Sequence, residues 1–476
     1  MSVKAKKVAK KWVDDNESRL TEISDAIWEY AELGYIEFKS AKLLADELET
    51  HGFKVEREVA GIPTAFVGTW GKGKPVIGVM GEYDALPGLS QKVSPIKEPI
   101  EVGEPGHGCG HNIHGTSGLG GAIALRYAIE ETGLKGTVKF FGCPAEEMLS
   151  GKVWMVREGI FDGVDAVISH HPSSMNTAGL SSSNANNAVK FHYRGKTSHA
   201  AGSPEQGRSA LDAVELMNIG VNFLREHVIQ DARIHYVIEE GGGQPNVVPD
   251  YARSWYLIRA PVRDQLEPIY QRILKIAEGA ALMTETELEV EFIKGIYNKV
   301  PSLTLSKVVT ANMREIGAPT YTAEETAFAK KVSESISKDS KRTTLWKTKR
   351  PGWEDLMDVL MDGSVPDAWN DGEVSHGSTD VSDVSWMAPT MEFSTATYVL
   401  GTPGHSWQNV AFSGMSIGHK SLFYASKIIA SAAIDLMTNP ELIKEAWKEL
   451  DKRKAGRVYT SPIPADLGPP LDQWKK

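Results

Sequence analysis

The chain reads as an α/β protein with a second, smaller domain inserted into the first, and three observations lead to that reading. Helical stretches alternate with short β-rich runs over the first 170 residues or so, and the C-terminal ends of those runs carry polar motifs. From about Asn186 the pattern changes to strand, helix, strand, strand, helix, strand, which is a complete small domain in its own right. At 476 residues the chain is also too long for one hydrophobic core, so two domains are the sensible prior.

Taken in order, residues 4–50 read as two helices with a break near Gly34 and Tyr35. Lys4, Lys6, Lys7, Lys10 and Lys11 precede no apolar core region, which fits the exposed side of an amphipathic helix rather than a secretory signal. Short β runs follow at Phe53–Val59, Thr64–Trp70 and Val76–Met80, the last running into Gly81-Glu-Tyr-Asp-Ala-Leu-Pro87. A small-residue helix, Gly115–Glu131, leads to the strand Thr137–Gly142 and its Pro144-Ala-Glu-Glu147 end. Val164–Ser169 is a further strand, ending at His170-His171-Pro172. Polar motifs at successive strand ends describe a sheet with its site along that edge. The inserted segments are 188–194, 207–227, 232–239, 251–259, 264–283 and 286–294. Gly401–His405 and a long helix at 414–437 look like the first domain resumed, which divides the chain into 1–185 with 297–476, and 186–296. The polar stretch 325–375 is read as a surface excursion of helices and loops, with a flap near the site as the other reading.

Composition is ordinary for a soluble globular protein, at 41% apolar and 24% charged residues. A formal charge of -10 gives no reason to expect nucleic acid or anionic lipid as a partner, and no apolar run is long enough to span a bilayer. The two cysteines, Cys109 and Cys143, sit beside polar motifs rather than in a disulfide framework, which fits a reducing cytoplasm.

The chemistry concentrates in His107-Gly-Cys-Gly-His111-Asn. In extended backbone, residues two apart point to the same side, so Cys109 and His111 can reach one ion together, and small neighbours let the chain approach it. A glycine-rich loop running into a helix also suggests a phosphate cradle, but the spacing does not match a dinucleotide fingerprint. Three potential ligands within five residues favour metal, with His107 and His114 as bystanders or supports. Glu146 and Glu147 are adjacent and point in opposite directions, so one can bind metal while the other faces a water. Either His170 or His171 suits a ligand by composition, and His405 sits in a proline-glycine turn that holds an imidazole rigidly. Glu82 and Asp84 close a neighbouring strand, where carboxylates orient a ligand imidazole through its second nitrogen or cap a helix. In the inserted segment His199 follows a strand, Asn246 lies in a glycine-rich loop and Arg259 ends a strand. An arginine and an asparagine there suit a carboxylate, although on spacing alone all three read as surface residues.

Together these motifs resemble the M20 family of metallopeptidases and aminoacylases, most closely its amidohydrolase branch. The likeness runs from Leu33-Gly-Tyr-Ile-Glu37 to the C-terminal helices. It includes Gly195-Lys-Thr-Ser-His199, Gly207-Arg-Ser-Ala-Leu-Asp212, Asn246-Val-Val-Pro249, Ser378-Thr-Asp-Val-Ser-Asp-Val-Ser-Trp386 and Gly401-Thr-Pro-Gly-His-Ser-Trp-Gln408. The resemblance implies a mixed-sheet, zinc-peptidase-like catalytic domain with a ferredoxin-like insertion that serves as lid and dimerisation domain. It makes Cys109, His111, Glu147, His171 (which directly precedes the proline) and His405 the ligands of two divalent ions, manganese or zinc, with Glu146 as general base. His199 is then expected to reach the neighbouring subunit's site, and Asn246 and Arg259 to hold the substrate carboxylate. A homodimer, or a heteromer with a related subunit, is implied.

Two departures stand out. Asn112 occupies a place where the branch usually has aspartate, removing a charge expected near the ligands, and Glu82 is one methylene longer than the usual acid. The expected reaction is hydrolysis of the amide of an N-acyl or N-aroyl amino acid, an acidic one for preference, by metal-activated water. A dipeptidase or an aromatic C–N hydrolase using the same site is the second reading, and a non-catalytic metal-containing binding subunit is a third, of another class.

Overall fold

The computed structural model describes residues 2–148, 150–375, 377–472 and 474. A six-stranded mixed sheet forms the centre. Its first five strands in the chain are β1 (Lys54–Arg57), β2 (Phe66–Lys72), β3 (Val76–Glu82), β4 (Gly136–Cys143) and β5 (Ala166–Ser173). Four more strands follow in a separate sheet: β6 (Ala185–Arg194), β7 (Arg233–Glu240), β8 (Tyr251–Ala260) and β9 (Glu287–Ile296). The chain then returns to the first sheet as β10 (Thr390–Ala396), giving the order β1-β2-β4-β3-β5-β10. The strands β4, β3, β5 and β10 are mutually parallel, so their C-terminal ends lie along one edge. The strands β1 and β2 are antiparallel additions on the far side.

Period-two alternation buries both faces of this sheet, as a largely parallel sheet between helices requires. Ile77, Val79, Phe140 and Ile168 pack with Leu119 and Ile123 of the helix His111–Thr132 and with Ile428 and Ile429 of the helix Ser416–Thr438. Their neighbours Met80, Phe141 and Val167 face the other way, onto Trp154, Phe161 and Val384.

The second sheet is antiparallel, in the order β9-β6-β8-β7. Phe191, Tyr193, Tyr256 and Ile258 turn one face onto the helices Ala210–Leu224 and Arg263–Thr284, forming a core of their own with Val214, Met217, Leu266 and Ile273. The alternate residues give the opposite face a polar character: Lys190, His192, Arg253 and Arg259.

Three local expectations are corrected. Residues 4–50 form three helices, Ser2–Asp15, Glu17–Tyr30 and Phe38–Thr50, with the extra break at Asn16, whose amide donates to Trp12 O at 2.7 Å. The strand expected to stop at the histidine pair continues through it, so His170 and His171 fall on opposite faces. The 325–375 stretch is more than a surface excursion. Ala329 and Val332 bury against Tyr398, Val399 and Phe412, and Arg350 forms a buried ion pair with Asp362 at 2.5 Å. Leu400 N donates to Leu360 O at 3.0 Å and Gln408 donates to Ser335 Oγ at 3.1 Å, so this region supports the loop that carries His405 from behind. Among the described residues no helix is long and apolar enough to cross a membrane.

Candidate active site

The parallel strand ends deliver candidate ligand groups from four directions. The loop after β3 brings Cys109 and then His111, the first residue of a long helix. Gly110 between them has φ +75°, and a Cβ there meets Tyr398 Oη at 2.3 Å and Pro172 at 3.1 Å, so only glycine lets the loop close against β5. Cys109 Sγ lies 3.4 Å from His171 Nε2. The other nitrogen of His171 sits 2.8 Å from Pro172 O, which holds its proton and leaves Nε2 free to bind a cation. His170 points away, with Nδ1 2.9 Å from Ser117 Oγ and Nε2 2.6 Å from Thr395 Oγ1, both nitrogens engaged and the ring fully buried. The pair that the sequence left open is therefore divided by strand alternation.

After β4 the chain turns sharply at Ala145, whose φ is +56°. Glu37, fully buried, accepts the Ala145 N–H at 2.8 Å and the Thr64 hydroxyl at 2.9 Å, and burial pushes its carboxyl up to about 8. The turn presents Glu147 Oε2 3.5 Å from His405 Nε2 and Glu146 Oε2 3.9 Å from His111 Nε2. His405 itself has φ +50°, and its side chain keeps 56% exposure, so it forms the open side of the site. Asp84 ties the halves together: Oδ1 is 2.8 Å from His111 Nδ1 and Oδ2 accepts the Glu147 N–H at 2.8 Å.

Glu82 lies on the ligand side of His111 rather than behind it, with Oε2 3.4 Å from His111 Nε2 and 3.4 Å from His114 Nε2. Its other oxygen is 2.7 Å from the fully buried Lys152 ammonium, which also meets Asp380 at 2.5 Å. Burial alone raises the Glu82 carboxyl, but Lys152 and the histidines overrule it and hold it below its ordinary value. His114 accepts the Glu82 N–H on Nδ1 at 2.9 Å, so its proton is on Nε2 and it supports Glu82 instead of binding an ion. Asn112 donates to Ser24 Oγ at 3.0 Å and Ser413 O at 2.9 Å; it braces helices and does not touch the ligand groups. His107 hydrogen-bonds Ile27 O at 2.9 Å.

These residues fit a metal centre. Cys109, His111 and His171 form one group of potential ligand atoms and Cys109, Glu147 and His405 another, each within 4.8 Å, meeting at the thiol. Among the described residues, His111 Nε2 and Glu147 Oε1 are buried with no hydrogen-bond partner. Burial opposes ionisation of Cys109, yet His171 and His111 hold its thiol well below the ordinary value, as a thiolate ligand requires. Burial and the neighbouring thiolate push Glu147 up to about 10, an excess of negative charge that a cation relieves.

The model of peptidase family M20/M25/M40 matches residues 78–399. The chain belongs to that family. It is 42% identical over 470 residues to one of the subunits of p-aminobenzoyl-glutamate hydrolase from Escherichia coli (strain K12), covering 96% of this chain and 97% of that protein. It is 29% identical over 464 residues to an Xaa-Arg dipeptidase of Mus musculus, covering 93% and 91%. Among solved structures, a dinuclear metal-binding M20 peptidase of Bacillus subtilis shares the fold, with TM-score 0.58, 18% identity and coverage of 89% of this chain and 99% of that one. The chain is thus a metal-dependent hydrolase of the M20 family.

The remaining expected residues of this M20 hydrolase make no hydrogen bond or ion pair with the candidate ligand groups among the described residues. His199 is exposed, its Nδ1 accepting the N–H groups of Ala201 at 3.2 Å and Gly202 at 3.0 Å. Asn246 is exposed beside it, with Ala200 N donating to Asn246 O at 3.0 Å. Arg259 is half-buried, and its Nε has no partner. Sequence reasoning missed Lys152, Asp380, Glu37 and Lys294. Lys294 Nζ donates to Met148 O at 2.6 Å, and burial draws its ammonium down to about 8 against the pull of Glu146 and Asp380. Asp380 and Glu37 stood inside recognisable motifs, but the signal for Lys152 and Lys294 is tertiary: each is a lysine that the fold buries.

Proposed function

We propose that this M20 hydrolase cleaves the amide bond of N-acyl or N-aroyl amino acids of the p-aminobenzoyl-glutamate type. The observation that carries this reading is the placement of Glu146. Its carboxyl lies 3.9 Å from His111 Nε2, outside both groups that share Cys109 and in a further group with Glu82 and His111, which supports its use as the base for water.

Cys109, His111, Glu147, His171 and His405 would hold two divalent ions, manganese or zinc. When bound, these polarise the scissile carbonyl and make water acidic enough to be deprotonated near neutral pH. Glu146 takes the proton from the attacking water and returns it to the departing nitrogen. Burial and the nearby Glu82 charge raise its carboxyl well above the ordinary value, which suits a group that must both accept and release a proton. Asp84 fixes the His111 ring, and Arg259 receives the substrate's α-carboxylate in its planar fork.

Residues 186–296 act as a ferredoxin-like lid and dimerisation domain on a catalytic domain of 1–185 and 297–476. The separate core and strand set of that segment support the division. The exposure of His199 and Asn246 supports their use across a dimer, His199 donating to the carbonyl oxygen and Asn246 to the carboxylate of the neighbouring site. A homodimer is the simplest assembly. The Escherichia coli relative is one subunit of its hydrolase, which keeps a heteromer with a related subunit as the alternative. A cytoplasmic location suits a thiolate ligand.

Metal analysis of the purified protein, combined with turnover of a panel of N-acyl amino acids and dipeptides, tests this reading. Hydrolysis that follows metal content is expected. A metal-loaded protein that turns over no amide is instead a non-catalytic binding subunit.

A further inference from the structure

One end of the small sheet's polar face differs from the rest of it. Along most of that face each cation has a carboxylate: Lys190 and Arg253 share Glu239 at 3.2 and 2.9 Å, and His192 meets Glu291 at 2.8 Å. The end nearest the metal ligands breaks the rule. Arg259 and Lys294 have no carboxylate within ion-pairing distance among the described residues, and one of the three Lys294 N–H groups goes to Met148 O, next to Glu147. Asn186 lies opposite Arg259 in the β6–β8 register, and Lys294 lies opposite Ala188, two residues along the same strand. Side chains at paired positions and at i, i+2 share a face, so Asn186, Arg259 and Lys294 project together. Asn186 has no solvent exposure, yet neither its Oδ1 nor its Nδ2 has a hydrogen-bond partner among the described residues.

A charged sheet face is ordinarily a solvated one, and two lone cations there mean little. A fully buried amide with both polar atoms unpaired is different, because such a group costs free energy unless something supplies its partners. That this amide shares a face with two cations lacking carboxylates, one of them held at Met148 O two residues from the proposed base, points to a ligand.

We infer that Arg259, Lys294 and Asn186 of one chain form a subsite for a leaving amino acid with two carboxylates, in which Lys294 with Asn186 reads the side-chain carboxylate. This rests on the amide-hydrolysis reading above, which gives the α-carboxylate to Arg259. One carboxylate satisfies one cation; the second cation calls for a second anionic group. The relatives sharpen the choice, since one is named for a glutamate conjugate and the other for dipeptides ending in arginine. A lysine at this position attracts the first kind of side chain and repels the second.

The test compares p-aminobenzoyl-glutamate, p-aminobenzoyl-glutamine and p-aminobenzoyl-arginine on the metal-loaded protein. Wild type is expected to favour glutamate over glutamine and glutamine over arginine. Lys294→Met should lower the glutamate-to-glutamine ratio of kcat/KM by roughly 10- to 100-fold, chiefly through KM, the range a charge-assisted hydrogen bond contributes. Arg259→Ala should weaken glutamate and glutamine alike and leave their ratio standing. Lys294→Gln, which keeps donors without charge, guards against a folding defect. Calorimetry with free glutamate and free glutamine reads the same preference without turnover. A ratio unchanged in Lys294→Met, or a wild type indifferent between glutamate and glutamine, overturns the inference while leaving amide hydrolysis intact. Glutamate preference that depends on Lys294, in a protein that hydrolyses none of the three amides, upholds the subsite and overturns the hydrolytic reading.

Discussion

Asp84 Oδ1 lies 2.8 Å from His111 Nδ1, while the second oxygen of the same carboxylate holds the Glu147 backbone N–H at 2.8 Å. One side chain at the end of β3 therefore orients a proposed ligand from the helix that follows the glycine loop and another from the turn after β4. The partner of the second imidazole nitrogen fixes which nitrogen faces the ion, and losing such partners typically lowers metal affinity by about 10- to 100-fold. Asp84→Ala is expected to fall in that range in a competitive zinc titration. Wild-type affinity in the variant would remove Asp84 from the metal centre.

Glu146→Gln should retain its metal and lose roughly 100- to 10,000-fold in kcat, the contribution typical of general acid–base catalysis. Metal content and kcat measured on the same preparation separate the roles. Loss of metal would show that Glu146 and Glu147 have been exchanged.

Cys109 belongs to both ligand groups, so its removal should be more damaging than that of His405, which belongs to one. Cys109→Ala is expected to lose metal and turnover, and His405→Ala to lose part of the metal and most of the turnover. Adding metal should raise the Tm of the wild type, since a ligand at about 100 times its Kd stabilises by about 2.7 kcal/mol. The gain should shrink in both variants. Full activity in a metal-free preparation would exclude the centre.

The parallel part of the fold was legible because its strands are short apolar runs, each ending in a motif of unusual composition. The Cys109–His111 pair, the Pro144–Glu147 turn and the His170–His171 pair stood out for the same reason, although composition alone did not choose between the two histidines. Where the sequence misled, tertiary contacts decided. Asn16 breaks a helix that amphipathic periodicity carries straight through. Asn112 looked like a missing charge at the site, yet it points to Ser24 and Ser413. Lys152 and Lys294 look like surface lysines in the sequence; only packing shows that one is enclosed with two carboxylates and the other is held at Met148 O. His199 and Asn246 stay exposed within one chain, so the use proposed for them depends on a second copy, which the pattern of a single sequence does not contain.

Lys152 offers a test of the electrostatic frame around Glu82. Its side chain is fully buried between Glu82 and Asp380; the ammonium helps hold Glu82 below its ordinary value and opposes the burial that raises Asp380 to about 6. Removing one partner of a buried ion pair costs about 3–5 kcal/mol, because the charge left behind is uncompensated. Lys152→Met should therefore destabilise strongly in urea unfolding, and pairing it with Asp380→Asn should recover part of the loss. Additive losses in the double variant would mean that the triad does not act as one unit.

The role proposed for His199 across a dimer has the most direct test. Within one chain its ring is exposed and makes only local hydrogen bonds to Ala201 and Gly202, so it contributes nothing to its own ligand groups in this arrangement. An imidazole that donates to the developing negative charge on the carbonyl oxygen should act on kcat more than on KM, since the interaction strengthens toward the transition state. His199→Ala alone should thus be nearly inactive with substrate binding largely kept, and Glu146→Gln alone should be inactive for want of a base. Mixed and allowed to exchange, the two variants form heterodimers in which one site keeps Glu146 and receives an intact His199 from its neighbour. Activity should then return to about a quarter of the wild-type value, because about half of the dimers are heterodimers after equimolar exchange and each of these has one complete site of two. No recovery, after native mass spectrometry has verified the exchange, would place His199 in its own subunit's site or outside catalysis.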